Sequence, residues 1–413
     1  MSMPQTVRHI NEKRALAALL RAGTLSRADL ARELGLTRST ASSIVAGLMK
    51  DGLVRDAGEA ATEPPSNADA PRIGRPGTLL TLNAAHGTFI GVDLGIDHLH
   101  LLALDFAGRV LTQERLPMSP AAMGPERMAE TLAERNAGFR ERLGAAGPVR
   151  GLCVAVPGVV DERGLVLRLP ILGWTGWPLR EALRRAFPDI AEIEVENDAN
   201  AFAVADGLQD GASAGSRSVH LLLDAGVGGA ILVDGALQRG AHGYAGEIGH
   251  MPVGEKGFLP EAALPGSLES FVGRDAILHR YHDLGGTREL NALLAGIGAG
   301  EASARRCLGE WAHYLGRGLA TITALIDPGE IVLGGPVAAL FAAGESQVKQ
   351  ALRRHLLPGQ PLPALRLSRS GEAGAALGGA GLLHRRHLSV DEDFVFRRAD
   401  PDQAEASTSA EMR

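Results

Sequence analysis

The sequence is poor in cysteine and has no long apolar run. Its 413 residues include two cysteines, Cys153 and Cys307, which are too few for a disulfide framework or a cysteine-rich zinc site. No apolar run reaches the roughly 18 residues that a membrane-spanning helix needs, and residues 1–14 have no apolar stretch of signal-peptide length. We therefore expect a soluble, cytoplasmic protein with no membrane partner.

Charge is distributed unevenly along a chain that is long enough for two or three compact units. Residues 1–55 carry nine Lys and Arg against four Asp and Glu, a net +5, whereas the whole chain carries −6 and the remainder therefore −11. A basic head on an acidic body suggests that the head alone meets a polyanion. Chance clustering of charge on a solvated helix face would give the same excess.

Three helices are predicted in the basic head. Apolar residues at helical spacing indicate a first helix over residues 7–21. Ser26 can cap a second helix over Arg27–Leu34, after which a glycine supplies a tight turn. Thr37 can cap a third helix that ends near Lys50. This arrangement is typical of a helix-turn-helix.

The first turns of the third helix carry short polar groups and one guanidinium. These residues are Arg38, Ser39, Thr40, Ser42 and Ser43. Such side chains suit base edges and phosphates at the N-terminal end of a recognition helix, so we predict that they bind DNA. Helix-turn-helix shapes also serve as oligomerisation modules, which the basic excess disfavours.

Two short predicted strands, around residues 53–55 and 79–82, enclose a Pro- and Ala-rich stretch and then Arg75. A hairpin with a basic tip is typical of a wing, and Arg75 could enter a minor groove. We expect residues 56–71 to be disordered, and a plain linker would explain them equally well. The sequence therefore predicts a winged helix-turn-helix over residues 1–82, with double-stranded operator DNA as its partner.

The body, residues 83–388, contains two similar strand-turn-strand passages. The corresponding residues are Asp93 and Asp224, Gly95 and Gly226, and Asp105 and Asp234. An internal duplication is the simplest explanation, and it predicts two α/β lobes around a cleft. Residues 389–413 we expect to form a disordered tail.

The Asp-x-Gly turns of such lobes can point backbone N–H groups and a carboxylate at a nucleotide's phosphates and metal. Candidate nucleotide-binding residues are Asp93, Gly95 and Gly226, with Gly334 and Gly335 as an adenine contact. The turns are incomplete, because Asp97 and Asp224 would repel phosphate unless a metal intervened. Glycines that merely make tight turns are an equally good explanation.

Five polar residues are expected to line the cleft. They are Asn197, Asp198, Glu247, His250 and Glu269. Together they supply the donors and acceptors that sugar hydroxyls need, although each alone could be a helix cap or a satisfied loop residue. Three carboxylates would repel a phosphorylated sugar, and these motifs contain no Arg or Lys, so a neutral sugar is the predicted ligand.

Six motifs of the chain belong together, at residues 25–31, 74–76, 91–95, 156–161, 196–200 and 246–250. Together they resemble those of the ROK family of repressors and sugar kinases. The resemblance covers the chain except residues 56–71 and the tail, and it implies a two-lobed actin and hexokinase type of fold, which is ribonuclease-H-like. It also implies that Asp198 matches the catalytic base of the kinases and that Asn197, Glu247, His250 and Glu269 match their sugar contacts.

The sequence departs from this family in two places. Family members usually have three cysteines after the Glu-x-Gly-His motif that bind structural zinc with the histidine. Here residues 251–268 have no cysteine, and Ser267 stands where the last would be, so we predict no zinc and no other metal. The incomplete turns put ATP and Mg²⁺ binding in doubt, and no cofactor is predicted.

Two functions fit these observations. In the first, the protein is a DNA-binding transcription regulator, expected to be a repressor. A neutral sugar in the cleft then changes lobe closure and so the spacing of two DNA-binding heads in a homodimer or higher oligomer. In the second, the protein is an ATP-dependent sugar kinase with an appended head, in which Asp198 takes the proton of a sugar hydroxyl. A protein-binding scaffold is a third. The incomplete phosphate turns favour the regulator.

Overall fold

The computed structural model describes residues 3–58, 78–144, 146–169, 172–210, 216–259 and 264–388. Most of the predicted linker, the predicted minor-groove residue Arg75 and the predicted tail lie outside these residues. No helix in the described ranges is long and apolar enough to cross a membrane.

The head is a three-helix unit with a small antiparallel sheet. Its elements are α1 (Met3–Ala22), β1 (Leu25–Ser26), α2 (Arg27–Leu34), α3 (Arg38–Lys50), β2 (Val54–Asp56) and β3 (Leu79–Leu82). The strand order is β1-β3-β2, so the two predicted wing strands pair as expected. The third strand, β1, was not predicted, because two residues are too few to show a strand period.

Local capping sets the helix ends in the head. The Ser26 hydroxyl accepts a hydrogen bond from the backbone N–H of Asp29, and the Thr37 hydroxyl accepts one from the N–H of Thr40. Gly35 ends α2 in the left-handed conformation at φ 65°, where a side chain would be strained. The predicted helices 2 and 3 are therefore confirmed with their caps.

The first lobe of the body surrounds a five-stranded sheet. Its elements are β4 (Thr88–Leu94), β5 (His98–Asp105), β6 (Val110–Pro117), α4 (Pro125–Glu141), β7 (Val149–Val156), β8 (Val159–Val160), β9 (Val166–Leu169), β10 (Trp174–Trp177), α5 (Leu179–Ala186) and β11 (Glu192–Asn197). The strand order is β11-β7-β4-β5-β6; β4, β5 and β6 are antiparallel, and β7 and β11 run parallel to β4. Strands β4 and β5 are buried along their whole length.

The second lobe repeats this topology. Its elements are α6 (Asp198–Asp210), β12 (Arg217–Leu223), β13 (Val227–Val233), β14 (Ala236–Leu237), α7 (Glu269–Val272), α8 (Arg274–Asp283), α9 (Leu290–Ala299), α10 (Ala302–Ile326), β15 (Glu330–Gly334), α11 (Leu340–Arg354), β16 (Ala364–Leu367) and α12 (Gly374–Leu388). The order β14-β13-β12-β15-β16 has the same pattern of antiparallel and parallel pairs as the first sheet. The predicted duplication is confirmed.

Two helices cross between the lobes. Helix α6 leaves the edge strand of the first sheet and packs against β12 and β13, whereas α12 follows the second sheet and packs against β4, β5 and β7. The two helices touch at Gly378, where a Cβ atom would lie 1.6 Å from the Ala201 carbonyl oxygen. Arg366 of β16 holds Asp206 of α6 through hydrogen bonds of 3.1 and 2.5 Å.

Head and body share one apolar core. Leu16 and Leu19 of α1 belong to the same buried cluster as Phe89, Phe106 and Leu383 of the body. At the end of α12, the Lys13 ammonium donates a 3.0 Å hydrogen bond to the carbonyl oxygen of Arg386 and a second bond to that of His387. A cation at this position also interacts favourably with the helix dipole. The head is therefore docked on a helix that crosses between the lobes.

Candidate functional site

The outer face of α3 presents the predicted DNA-binding residues to solvent. The exposed residues are Arg38, Ser39, Thr40, Ser42 and Ser43. On the opposite face Ile44, Val45 and Leu48 are buried in the core of the head. The amphipathic spacing thus turns the polar residues outward together, as the tip of a recognition helix requires.

Asn197 and Asp198 stand where β11 ends and α6 begins. The Asn197 side-chain oxygen accepts a 3.0 Å bond from the N–H of Asn200, and its amide nitrogen donates a 3.1 Å bond to the carbonyl of Gly158. Asn197 is therefore the cap of α6, and it fixes the loop after β7 as well. An Asx cap at this point holds the start of α6, and with it Asp198, against the cleft.

The Asp198 carboxylate is enclosed among other acids. Its Oδ1 accepts a 2.8 Å bond from the N–H of Ala199. Burial, together with the nearby charges of Asp93, Asp224 and Glu247, raises the pKa of Asp198 to about 8, although the Ala199 bond opposes the shift. Near neutral pH this side chain is held close to its titration point, and it can both donate and accept protons.

Glu247, His250 and Glu269 form a chain of contacts. His250 Nδ1 lies 3.2 Å from a Glu247 oxygen, and its Nε2 lies 3.6 Å from a Glu269 oxygen. The bond to Glu247 raises the pKa of His250 against the effect of burial, and the charge of Glu269 adds to this. Burial raises the pKa of Glu269, and His250 opposes that rise.

Two adjacent glycines of β13 bring these groups together. A Cβ atom on Gly228 would lie 3.8 Å from Asp198 Oδ1, and one on Gly229 would lie 2.5 Å from the carbonyl oxygen of Gly246. A side chain at position 229 would therefore push away the loop that carries Glu247. The structure thus brings Asp198, Glu247, His250 and Glu269 close enough for their charges to interact, and Asn197 adjoins them as the cap of α6.

The first predicted phosphate turn is filled by a histidine. His98 Nε2 lies 3.1 Å from Asp93 Oδ2, and its Nδ1 lies 2.9 Å from Asp97 Oδ1. A Cβ atom on Gly95 would lie 2.2 Å from the His98 ring. Burial disfavours the imidazolium, but the bonds to Asp93 and Asp97 outweigh it and raise the pKa of His98. The Asp93 carboxylate, which would face a nucleotide's metal, therefore already contacts His98.

The second predicted phosphate turn also has a basic side chain beside its aspartate. Arg274 Nη1 lies 3.1 Å from Asp224 Oδ1, and the Arg274 N–H donates a 2.7 Å bond to the Asp224 carbonyl. A Cβ atom on Gly226 would lie 3.1 Å from a Glu269 oxygen, so this turn abuts the sugar-binding residues. The repulsion of phosphate expected from Asp224 is therefore offset by Arg274. Neither His98 nor Arg274 was predicted from the sequence.

Packing explains Gly334 and Gly335 without a nucleotide. A Cβ atom on Gly334 would lie 2.2 Å from the Phe202 ring. Gly335 has φ +83°, and its Cβ would lie 2.4 Å from the Leu223 carbonyl oxygen. The adenine contact stays a prediction, and these two glycines do not by themselves support it.

The residues at the family's zinc position do not fit a metal. Both ring nitrogens of His250 face carboxylates, and Ser267 Oγ accepts a 3.4 Å bond from the N–H of Ser270. Phe271 stacks on Tyr314 with 3.6 Å between ring centroids, and Phe258 packs edge-on against both. Within the described ranges, no group of three or more His, Cys, Asp or Glu is arranged to hold an ion.

The fold places two arginines near the sugar-binding residues. Arg239 contacts Glu196 with both terminal nitrogens, at 3.0 and 2.5 Å, and the exposed Arg168 is close enough to oppose protonation of His250. The absence of Arg and Lys from the motifs therefore does not extend to the folded cleft. The one available signal was the position of Arg239 directly before the glycine-rich segment.

Comparison with known sequences covers both parts of the chain. The ROK family pattern matches residues 89–386, and the MarR family pattern matches residues 9–61. The chain is 26% identical to the xylose repressor of Caldicellulosiruptor bescii, over 81% of this chain and 85% of that one. It is 25% identical to the glucokinase of Halalkalibacterium halodurans, over 74% of this chain and 97% of that one.

Solved structures show the same architecture. A ROK family transcriptional regulator, described as a homolog of the E. coli MLC protein, superimposes with a TM-score of 0.75 at 23% identity, over 92% of this chain and 96% of that one. The ROK hexokinase from Thermus thermophilus gives 0.59 at 29% identity, over 73% and 99%. The expected winged helix and two-lobed hexokinase-like body are confirmed. With its body matched from Phe89 to Arg386, the chain belongs to the ROK family.

Proposed function

We propose that this protein is a sugar-responsive repressor whose head binds operator DNA and whose cleft binds a neutral sugar. The observation that carries the proposal is the docking of the head on α12, since this helix crosses between the lobes. A ligand that changes lobe closure would therefore move the DNA-binding face of α3. Relatives named xylose repressor match about four fifths of this chain, which supports the proposal.

The polar groups of the cleft suit sugar hydroxyls. Glu247 and Glu269 supply acceptors, Asp198 can accept or, when protonated, donate, and the His250 ring carries N–H donors. The glycines of β13 leave backbone close to these groups. Arg239 is neutralised by Glu196, and Arg168 is exposed. Because acidic side chains surround Asp198 and Arg239 is already paired with Glu196, a sugar phosphate would be repelled, and we propose a neutral aldose such as xylose or glucose as the ligand.

We further propose that ATP and Mg²⁺ have no part in this function. His98 contacts Asp93 and Arg274 contacts Asp224, so a basic side chain already stands at each turn where a nucleotide's metal would bind. Regulation then comes from sugar binding alone. We also propose that the protein holds no structural zinc.

A sugar kinase remains the second candidate, because Asp198 has the raised pKa and the position of a general base. In that case Asp198 would accept the proton of a sugar hydroxyl. A coupled ADP assay with glucose, xylose, mannose and N-acetylglucosamine separates the two functions. Turnover that Asp198→Asn abolishes would establish the kinase, and no turnover above background is the result we expect.

The main test is a gel shift on the protein's own promoter region at fixed salt. We expect binding that a neutral sugar weakens and that Arg38→Ala reduces, because α3 carries the base and phosphate contacts. Thermal-shift screening of sugars and sugar phosphates would identify the ligand, because binding to the folded state raises apparent stability. Absence of DNA binding with and without sugars would refute the proposal.

We propose that the repressor is a homodimer. A dimer places two recognition helices in successive major grooves, about 34 Å apart, so small lobe rotations alter the fit to DNA. Light scattering on the purified protein measures its mass directly, and a monomer that binds operator with full affinity would exclude this arrangement.

A further inference from the structure

An arginine and a glutamate join the two lobes beside the sugar-binding residues. Glu196 lies on β11 of the first sheet, and Arg239 follows β14 of the second. The guanidinium donates from Nη1 to Glu196 Oε1 at 3.0 Å and from Nη2 to Oε2 at 2.5 Å. The side chain of Glu196 is 5% exposed and that of Arg239 is 36% exposed. The pair is thus a two-point link anchored inside the protein.

On the first-lobe side, Glu196 supports the start of α6. Its Oε1 accepts a 2.9 Å bond from the backbone N–H of Asn197 and another of 2.9 Å from the side-chain amide of Asn200. Asn197 in turn caps α6, whose first residue is Asp198. The carboxylate that Arg239 holds is therefore also the one that orients the segment carrying Asp198.

On the second-lobe side, Arg239 closes the loop that leads to Glu247. The backbone N–H of Ala245 donates a 3.2 Å bond to the Arg239 carbonyl, which brings the two ends of the loop together. Gly240 and Gly243 adopt positive φ within this loop, so its path depends on glycine. The base of the loop is fixed by Arg239, and Glu247 lies two residues beyond Ala245.

The chemistry of this link is directional. A guanidinium forms two parallel bonds to a carboxylate and so fixes orientation as well as distance, whereas an ammonium acts as a point charge. Burial lowers the tendency of Arg239 to hold its proton, but the bonds and charge of Glu196 outweigh burial and raise its pKa. The Arg239 guanidinium therefore keeps its proton and its charge.

We propose that Arg239 is a positioning residue for ligand binding, which holds the Glu247 loop against the first lobe so that Glu247 and Asp198 face the same sugar. The inference rests on the proposed sugar-binding function. Arg239 contacts Glu196 and acts on the ligand through it. Without this link the loop loses its fixed position, and the sugar must pay the entropy of ordering it.

Two variants test the role of Arg239. Arg239→Lys keeps the charge but loses the two parallel hydrogen bonds of the guanidinium, and we expect sugar affinity to fall about tenfold. Removing Arg239 alone would leave the buried Glu196 side chain without its guanidinium partner, which can unfold the protein. The second variant therefore combines Arg239→Met with Glu196→Gln, which keeps a side-chain oxygen for Asn197 and Asn200. We expect it to fold and to bind sugar at least tenfold more weakly than the wild type.

Calorimetric titration with xylose, glucose and N-acetylglucosamine gives sugar affinity, and fluorescence anisotropy gives operator affinity without sugar. A positioning role predicts operator affinity within twofold of the wild type for both variants. A matched control combines Arg280→Met with Glu310→Gln, which removes a two-point pair of 2.5 and 2.8 Å between α8 and α10. This control should bind sugar normally.

Three results would overturn the inference. The first is sugar affinity within twofold of the wild type in either Arg239 variant. The second is a loss of sugar affinity in the control as large as in the Arg239 variants. If the wild type binds no sugar in this panel, the proposed function itself fails, and the inference fails with it. Wild-type binding that the Arg239 variants retain refutes the positioning role alone.

Discussion

The contact between α6 and α12 makes a sharp prediction for Gly378→Ala. The new Cβ atom would lie 1.6 Å from the Ala201 carbonyl oxygen and 2.4 Å from its carbon. Contacts between such atoms normally need about 3.5 Å, so the two helices would have to separate by roughly 2 Å. The obstacle is helix backbone, which cannot rotate away as a side chain can.

The expected loss of stability is at the upper end of the range for overpacked cores, about 3 kcal/mol. The displacement also reaches both functional sites, because α6 begins at Asp198 and α12 ends at the bonds from Lys13. We therefore expect weaker sugar binding and a smaller effect of sugar on operator binding, in addition to lower stability.

Gly309→Ala in α10 is the matched control. An added Cβ atom there meets nothing within 4 Å. The same substitution should therefore stabilise the protein by about 0.5–1 kcal/mol, through helix propensity alone. Urea unfolding followed by circular dichroism compares the two variants with the wild type. Gly378→Ala at or above wild-type stability would show that α6 and α12 do not pack as described.

Three further predictions concern Asp198, the α3 cap and the link from head to body. Folding raises the pKa of Asp198 from 3.8 to about 8, so its contribution to stability is complete below pH 3.8 and is lost as pH rises towards 8. Between pH 5 and 8, thermal unfolding should therefore show a steeper loss of stability with pH for the wild type than for Asp198→Asn. Parallel curves for the two proteins would contradict this. Thr37→Ala removes the cap of α3 and should cost about 1 kcal/mol and weaken operator binding, whereas the exposed Thr321→Ala should not change operator affinity. Lys13→Met removes the bonds to the last carbonyls of α12, so the ratio of operator Kd with sugar to that without should move towards one; an unchanged ratio would argue against α12 as the link.

The head was predicted well from the sequence because its signals are local. Ser26, Gly35 and Thr37 each act within four residues along the chain, and their caps and turns set the ends of α2 and α3. The alternation of buried and exposed positions then turned the polar face of α3 outward. The sequence did not predict β1, nor the packing of α1 on the body.

The duplicated body was also visible in the sequence, since each half repeats the same strand and turn pattern. The five sugar-binding candidates could be named individually because each stands in a short motif. Asn197, Asp198 and Glu269 stand at the end of a strand or the start of a helix, and Glu247 and His250 stand in a glycine-rich loop. Their hydrogen-bonding character followed from the residue types, but the side chains that they contact could not be predicted from the sequence.

The sequence by itself determined the winged head, the two repeated lobes and the polar residues offered to a ligand, because helix period, caps and turn residues act over a few positions. The tertiary structure decided which side chains, distant in sequence, pair with one another. Arg239 meets Glu196 across 43 residues, and Lys13 meets Arg386 across 373. Arg274 likewise pairs with Asp224 across a wide separation. Such pairings depend on where packed sheets and helices place the backbone, and no local pattern in the sequence records that.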